Sequence, residues 1–168
     1  MRRIGPVAAG VVCAVMVSTS VANAGTGWRI QPTPKPPGAQ LSRLLAVSCP
    51  STTACIAVGD RVNSGSDRVV TLAERWNGNG WTIQSTPEPA GAGNSQLLGV
   101  SCPSTTVCTA VGQYQDSSGN YRSLAQRWNG SRWTIQSIPE PAGTDYSALT
   151  GVSCPSTTAC TAVGRVLL

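Results

Sequence analysis

The feature that most constrains this chain is an internal repeat. LLAVSCPSTTACIAVG at 44–59 returns as LLGVSCPSTTVCTAVG at 97–112 and as LTGVSCPSTTACTAVG at 149–164, at offsets of 53 and 52 residues. The same spacing links LAERWNGNGWTIQSTPEP at 72–89 with LAQRWNGSRWTIQSIPEP at 124–141. Self-similarity at a fixed period of this size marks repeated supersecondary units, each too small to bury a core alone and dependent on its neighbours.

Each unit parses into four short strands. Strand A spans Leu44 to Cys49 and strand B Cys55 to Gly59, where an unbroken apolar run predicts burial on both faces. Strand C spans Val69 to Trp76, and strand D runs from Trp81 to Ser85, where Pro87 and Pro89 cannot continue a ladder. Asn77-Gly78 and Asn129-Gly130, between C and D, suit a tight hairpin with positive φ. With 18 Gly and 12 Pro in 168 residues, a helical bundle is disfavoured. The fold class expected is all-β: tandem four-stranded antiparallel blades of 52 residues or so, forming a partial, open β-propeller. Residues 25–43 form a lone D strand starting at Trp28 and a linker, 44–96 the first blade, 97–148 the second, and 149–168 strands A and B of a truncated third.

From strand B to strand D the units resemble the kelch repeat. Gly59, Trp76, Trp81 and Pro87 fall in the order of a kelch blade's glycine, two aromatics and proline, as do Gly112, Trp128, Trp133 and Pro139. Asp60 and Gln113 stand where a second glycine belongs, and the first aromatic is Trp rather than Tyr. The likeness is therefore to kelch-like and galactose-oxidase-like propellers broadly, in the form of a secreted bacterial variant carrying a cysteine pair on strands A and B. It implies that the tryptophans pack between blades and that Gly59 and Gly112 give the backbone clearance.

Residues 1–24 carry Arg2-Arg3, an apolar run from Ile4 to Val17, and Ala22-Asn23-Ala24, the order of a cleavable signal peptide. The mature protein is expected to be secreted, extracellular and free of the membrane. Its cysteines fall as Cys49/Cys55, Cys102/Cys108 and Cys154/Cys160, always CPSTTxC, opposite each other across an A–B turn. An exported chain with such pairs points to three local disulfides. Each pair stands apart from the others and no histidine exists, so a zinc site is not expected, and neither is any other metal or cofactor.

Absence of histidine also removes His-dependent triads and proton shuttles. Glu74 becomes Gln126 in the next unit, and no paired carboxylates recur at a glycosidase spacing. The reading leans against an enzyme. Without the leader, ten basic residues face seven acidic ones, scattered singly, which gives no footprint for nucleic acid.

Function should lie where the units differ. In an up-and-down blade the A–B and C–D turns share one end, and the B–C and D–A connections share the other. The first end is nearly invariant, whereas the second changes from DRVNSGSDR (60–68) to QYQDSSGNYR (113–122) and from AGAGNSQ (90–96) to AGTDYSA (142–148). It carries Tyr114, Tyr121 and Tyr146, all the tyrosines of the chain, with Arg61, Asp67, Asp116 and Asp145. Tyrosines beside carboxylates suit a glycan or an extracellular protein. The competing readings are a fragment of a longer propeller-type glycoside hydrolase and an inert truncated remnant.

Strand C of the third unit is missing, and propeller rings start at about four blades. Either a fragment of a longer protein or self-association that completes a ring is expected. The fragment reading is favoured because apolar Val166-Leu167-Leu168 replaces Tyr114-Gln115-Asp116. For the leader, N-terminal sequencing of exported material should begin at Gly25; an intact Met1 in a membrane fraction would refute cleavage.

Overall fold

The computed structural model describes residues 29–140 and 142–167. The expected signal peptide and the D strand expected at Trp28 lie outside the described residues. The chain divides into Met1–Gln31 and Pro32–Leu168, and all ten strands among the described residues lie in the second unit.

The described residues form an all-β fold, as the repeat predicts. Strands β1 (Ala39–Ser51), β2 (Ala54–Asn63), β3 (Val69–Trp76) and β4 (Trp81–Gln84) form a four-stranded antiparallel sheet in that order. Strands β5 (Ser95–Ser104), β6 (Val107–Gln115), β7 (Tyr121–Trp128) and β8 (Trp133–Gln136) repeat the arrangement. The third hairpin, β9 (Tyr146–Ser153) with β10 (Thr161–Leu167), joins the second sheet through one parallel bridge, Tyr121 to Tyr146. The sheets therefore have four and six strands, and neither closes on itself.

Strands A and B run further than the apolar pattern predicts. Beyond Gly59 the ladder continues through Asp60, Arg61 and Val62 to Asn63, paired with Ala39 to Arg43. Residues 60–63 and 113–115, expected as loop, are strand, and the B–C connections shrink to the turns at 64–68 and 116–120. Strand B continues past the glycine on polar residues, buried at Asp60 and Gln113, and the ladder there is made by backbone hydrogen bonds, which leave no apolar alternation to read.

The recurring Gly is enforced by a bulge. Leu45 is an extra residue between the Leu44–Gly59 and Ala46–Val58 pairs, and Leu98 and Thr150 occupy the same place in the next repeats. Such an insertion bends strand A across its partner. A Cβ on Gly59 would lie 1.9 Å from the Arg43 carbonyl oxygen, on Gly112 2.0 Å from that of Gln96, and on Gly164 1.9 Å from that of Ala148. Backbone clearance is thus the role of this glycine.

At the C–D turns the glycine alone takes the left-handed conformation, φ 95° at Gly78 and 94° at Gly130. The preceding asparagine serves differently: Asn77 Oδ1 accepts the N–H groups of Asn79 and Gly80, each at 3.0 Å, and Asn129 Oδ1 those of Ser131 and Arg132. This side-chain turn holds the flanking tryptophans in register, Trp76 opposite Trp81 and Trp128 opposite Trp133, with ring centroids 5.8 and 5.7 Å apart.

The core lies between the sheets. Ile56, Val58 and Ala73 of the first pack with Leu97, Val100, Ala110, Leu124, Trp128 and Trp133 of the second, joined by the Cys102–Cys108 bridge. A fully buried Leu97 contributes about 1.5–3 kcal/mol relative to an exposed one. One polar link recurs with it: Cys102 N–H donates to Ser48 Oγ at 3.0 Å, and Cys154 N–H to Ser101 Oγ at 3.0 Å. All three disulfides are local, Cys49–Cys55, Cys102–Cys108 and Cys154–Cys160, each with Cα atoms 4.0 Å apart.

Gly112→Ala should destabilise the fold by about 3 kcal/mol or more in a denaturant titration, because backbone must move to admit the methyl. Gly80→Ala, with nothing within 4 Å of the added carbon, should stay within about 0.5 kcal/mol of the parent.

Candidate functional site

The two ends of each sheet differ as the strand directions require. At one end the A–B and C–D turns meet, since Thr53 lies beside Gly78, Thr106 lies beside Gly130, and Trp76 Nε1 donates to the Thr52 carbonyl. At the other end the D–A linkers run along strand B of the repeat they enter: Ser64 N–H bonds Gly38 O at 2.8 Å, Gly93 N–H bonds Gln115 O at 2.9 Å, and Asp145 N–H bonds Leu167 O at 3.1 Å.

Two arginines fasten this second end, neither singled out from the sequence. Arg68 donates through Nε to Gly93 O at 2.6 Å and through a terminal nitrogen to Ala92 O at 2.9 Å, reaching from the first repeat to the linker of the second. Arg122 reaches the following linker at Thr144 O, 2.7 Å, and also pairs with Asp116 at 3.0 Å. A cation alternating with a loop is an inconspicuous signal. Their one common feature is their place at the start of strand C.

The PEP motif holds a second element that the sequence left without a role. Strand D ends at Gln84 and Gln136, which leaves strand C with bare N–H groups further along. Glu88 Oε1 accepts Thr71 N–H at 2.8 Å and the Thr71 hydroxyl at 2.7 Å. Glu140 Oε1 accepts Ser123 N–H at 2.9 Å, and its Oε2 accepts the Ser147 hydroxyl at 2.6 Å. A carboxylate thus takes over where the prolines stop the ladder, protecting a strand edge.

The expected site residues do not form one cluster. Tyr121 and Tyr146 come together at the junction of the second and third repeats, centroids 5.8 Å apart and tilted by 46°. Tyr146 also donates to Gln113 Oε1, accepts from Arg165 at 2.8 Å, and lies under the Arg165 guanidinium, 5.0 Å from the ring centre. Tyr114, by contrast, is half-buried against the core. Arg61 and Asp67 belong to the first sheet: Arg61 bonds Asn63 Oδ1 at 2.6 Å, and Asp67, at φ 50°, accepts from Gln40.

Asp116 folds into its own turn, accepting Ser118 and Asn120 N–H groups at 2.9 and 3.0 Å. Desolvation pushes its carboxyl up, but the Arg122 hydrogen bond, those two backbone bonds and the Arg122 charge outweigh it and hold it below the usual carboxylate range. Asp145 is exposed.

Tyr121 borders a small polar cleft of about 90 Å³ with Arg43, Val69, Asn94, Ser95, Gln96 and Gln113. Behind it, Asp60 is fully buried and receives Arg43 at 2.9 and 3.0 Å, while half of the arginine side chain stays in solvent. A larger cleft of about 400 Å³ lies on the first sheet, lined by Pro36, Pro37, Arg61, Val70, Thr71 and Glu88 among others. Among the described residues, no three of His, Cys, Asp and Glu gather to hold a metal ion.

The fold and this end define an all-β, disulfide-stapled repeat protein with an aromatic and arginine cluster at its variable end. Comparison with family models and with curated proteins finds no match. Three disulfides fit an oxidising compartment.

Glu74 is buried without a partner for Oε2, and desolvation raises its pKa. Its counterpart Gln126 donates from Nε2 to Pro87 O at 2.9 Å. A carboxyl whose folded pKa exceeds its unfolded one costs nothing below the unfolded value; the cost grows as pH rises towards the folded one and stays above it. Glu74→Gln should therefore stabilise the protein by roughly 1 kcal/mol at pH 7, with the gain shrinking towards pH 4. Thermal melts across that range measure it.

Proposed function

We propose that this protein is a secreted, non-catalytic β-propeller-type repeat module that binds an extracellular glycan or protein through its variable end. The two sheets and the third hairpin are read as two blades and the first half of a third. The observation that carries the reading is the Tyr121–Tyr146 pair, built from strands of two different repeats and flanked by Gln113 and Arg165. Residues shared by all repeats are absorbed by the fold. Gly59 and Gly112 clear a backbone, Glu88 and Glu140 complete a strand edge, and Ser48 and Ser101 link the repeats.

Half-exposed phenol rings offer apolar faces to a sugar ring or an apolar side chain, and the surrounding amide and guanidinium supply directional hydrogen bonds. Asp145, next to Tyr146, is exposed, while two other nearby acids are held by neighbouring groups. Asp116 is engaged by Arg122, and Glu140 by Ser123 and Ser147. Binding without turnover is the chemistry these groups support.

A glycan array and a pull-down from extracellular material test the reading. For a ligand so found, Tyr121→Ala should weaken binding by about tenfold or more, the loss of one aromatic anchor, and Ser51→Ala at the opposite end should leave it unchanged. The reverse pattern would move the site to the A–B turns.

A further inference from the structure

The cleft that Tyr121 borders measures about 90 Å³, well below the roughly 300 Å³ at which pockets for whole ligands begin. It has room for a substituent and not for a sugar ring. Its lining combines the polar side chains of Arg43, Ser95, Gln96 and Gln113 with the apolar Val69 and the Tyr121 ring.

Acceptors around this cleft are largely spent. Both oxygens of the buried Asp60 are held by Arg43 through Nε and Nη2, Asn94 Oδ1 takes the Val69 N–H at 3.0 Å, and Gln113 Oε1 takes the Tyr146 hydroxyl. Donors remain: among the described residues no hydrogen bond engages Arg43 Nη1 or Gln113 Nε2, and Ser95, only 1% exposed, has a buried Oγ without a partner. In the next repeat the matching serine is fully used, since Ser147 Oγ accepts the Ser123 N–H at 2.8 Å and donates to Glu140 at 2.6 Å. A buried hydroxyl left without a bond is costly unless a ligand supplies the partner. Because Asp60 already balances Arg43, the cleft offers donors without net charge. A ligand carboxylate would face the buried Asp60 charge behind the guanidinium, whereas a neutral carbonyl meets no such repulsion.

We propose that this cleft is an acetamido subsite, so that the glycan bound at the tyrosine end carries N-acetylated amino sugars. The amide carbonyl accepts from Ser95 Oγ and Arg43 Nη1, and the methyl group lies against Val69 and the Tyr121 ring. The sugar ring itself stays outside, on the Tyr121–Tyr146 pair, whose first member is shared with the cleft. This inference rests on the reading of that pair as a glycan site and adds the substituent that the site selects.

Isothermal titration calorimetry of the oxidised full chain tests it. The probes are oligosaccharides of N-acetylglucosamine and of N-acetylgalactosamine, their de-N-acetylated forms, a cello-oligosaccharide without the nitrogen, and an oligogalacturonate that presents carboxylates. An acetylated probe should bind about tenfold or more tightly than every unacetylated one, because a cleft built for a carbonyl leaves its donors unpaired without it. Ser95→Ala should fold as the parent does, since the hydroxyl it removes has no partner. It should lower the ratio of acetylated to unacetylated affinity by about five- to tenfold, the loss of one hydrogen bond. Val69→Ala, which draws back the wall that the methyl meets, should lower the same ratio by about fourfold.

Equal affinity for acetylated and unacetylated probes, both lost in Tyr121→Ala, would overturn the acetamido subsite and leave the glycan reading of the tyrosine end standing. Binding of none of these sugars would overturn the glycan reading and the subsite together. Tightest binding of the oligogalacturonate would make the cleft a carboxylate site, and a preference for the acetyl group that survives both Ser95→Ala and Val69→Ala would place that group elsewhere; either result overturns the proposal. Circular dichroism and thiol titration establish that each variant is folded with its disulfides intact.

Discussion

Everything in this molecule depends on one sheet stacking on the next. A four-stranded sheet of this size has two faces and little depth. Alone it could not hold Leu97, Ala110 and Trp133 out of water, and only contact with the neighbouring Ile56, Val58 and Ala73 does so. Close stacking in turn demands a strand A that bends in register with its partner. The bulge at Leu45, Leu98 and Thr150 supplies the bend, and the opposing glycine admits it. The Ser-to-Cys hydrogen bond then adds direction to a contact that apolar packing would leave free to slide.

The disulfides sit inside this arrangement rather than beside it. Each bridges the A–B hairpin, and Cys102 both closes its loop and presents its N–H to the preceding repeat. Holding that hairpin shut keeps the serine-bearing strand in place for the next sheet. Cys102 and Cys108 also belong to the apolar cluster between the sheets, so a staple of the chain serves as part of its core.

At the variable end, exposure and rigidity are combined by the same economy. Arg68 and Arg122 reach across to backbone carbonyls of the next linker, and Glu88 and Glu140 satisfy strand N–H groups that the prolines leave open. Charged groups bonded to backbone fix loops that have few apolar contacts of their own. Side chains free of these duties, notably Tyr121, are left to meet solvent or a partner on a firm frame.

Much of this was legible in the residue order. The period, the four strands of each complete repeat, the C–D turns, the cysteine pairing and the clearance role of Gly59 all follow from contacts between residues near in sequence or from the repeat itself. Strand C was read closely because Val69 to Trp76 is bounded by turns, whereas strands A and B were read short because their outer halves are largely polar even where they are buried, as at Asp60, Ser95 and Gln113.

Tertiary structure alone decided the rest. It set Tyr121 beside Tyr146, buried Tyr114 partly in the core, turned Asp116 onto Arg122, and buried Glu74 where the next repeat holds a glutamine. Those outcomes depend on which face of one repeat meets which face of another. Pairing across sheets joins residues dozens of positions apart, and a side chain's fate there rests on a neighbour that no local pattern names.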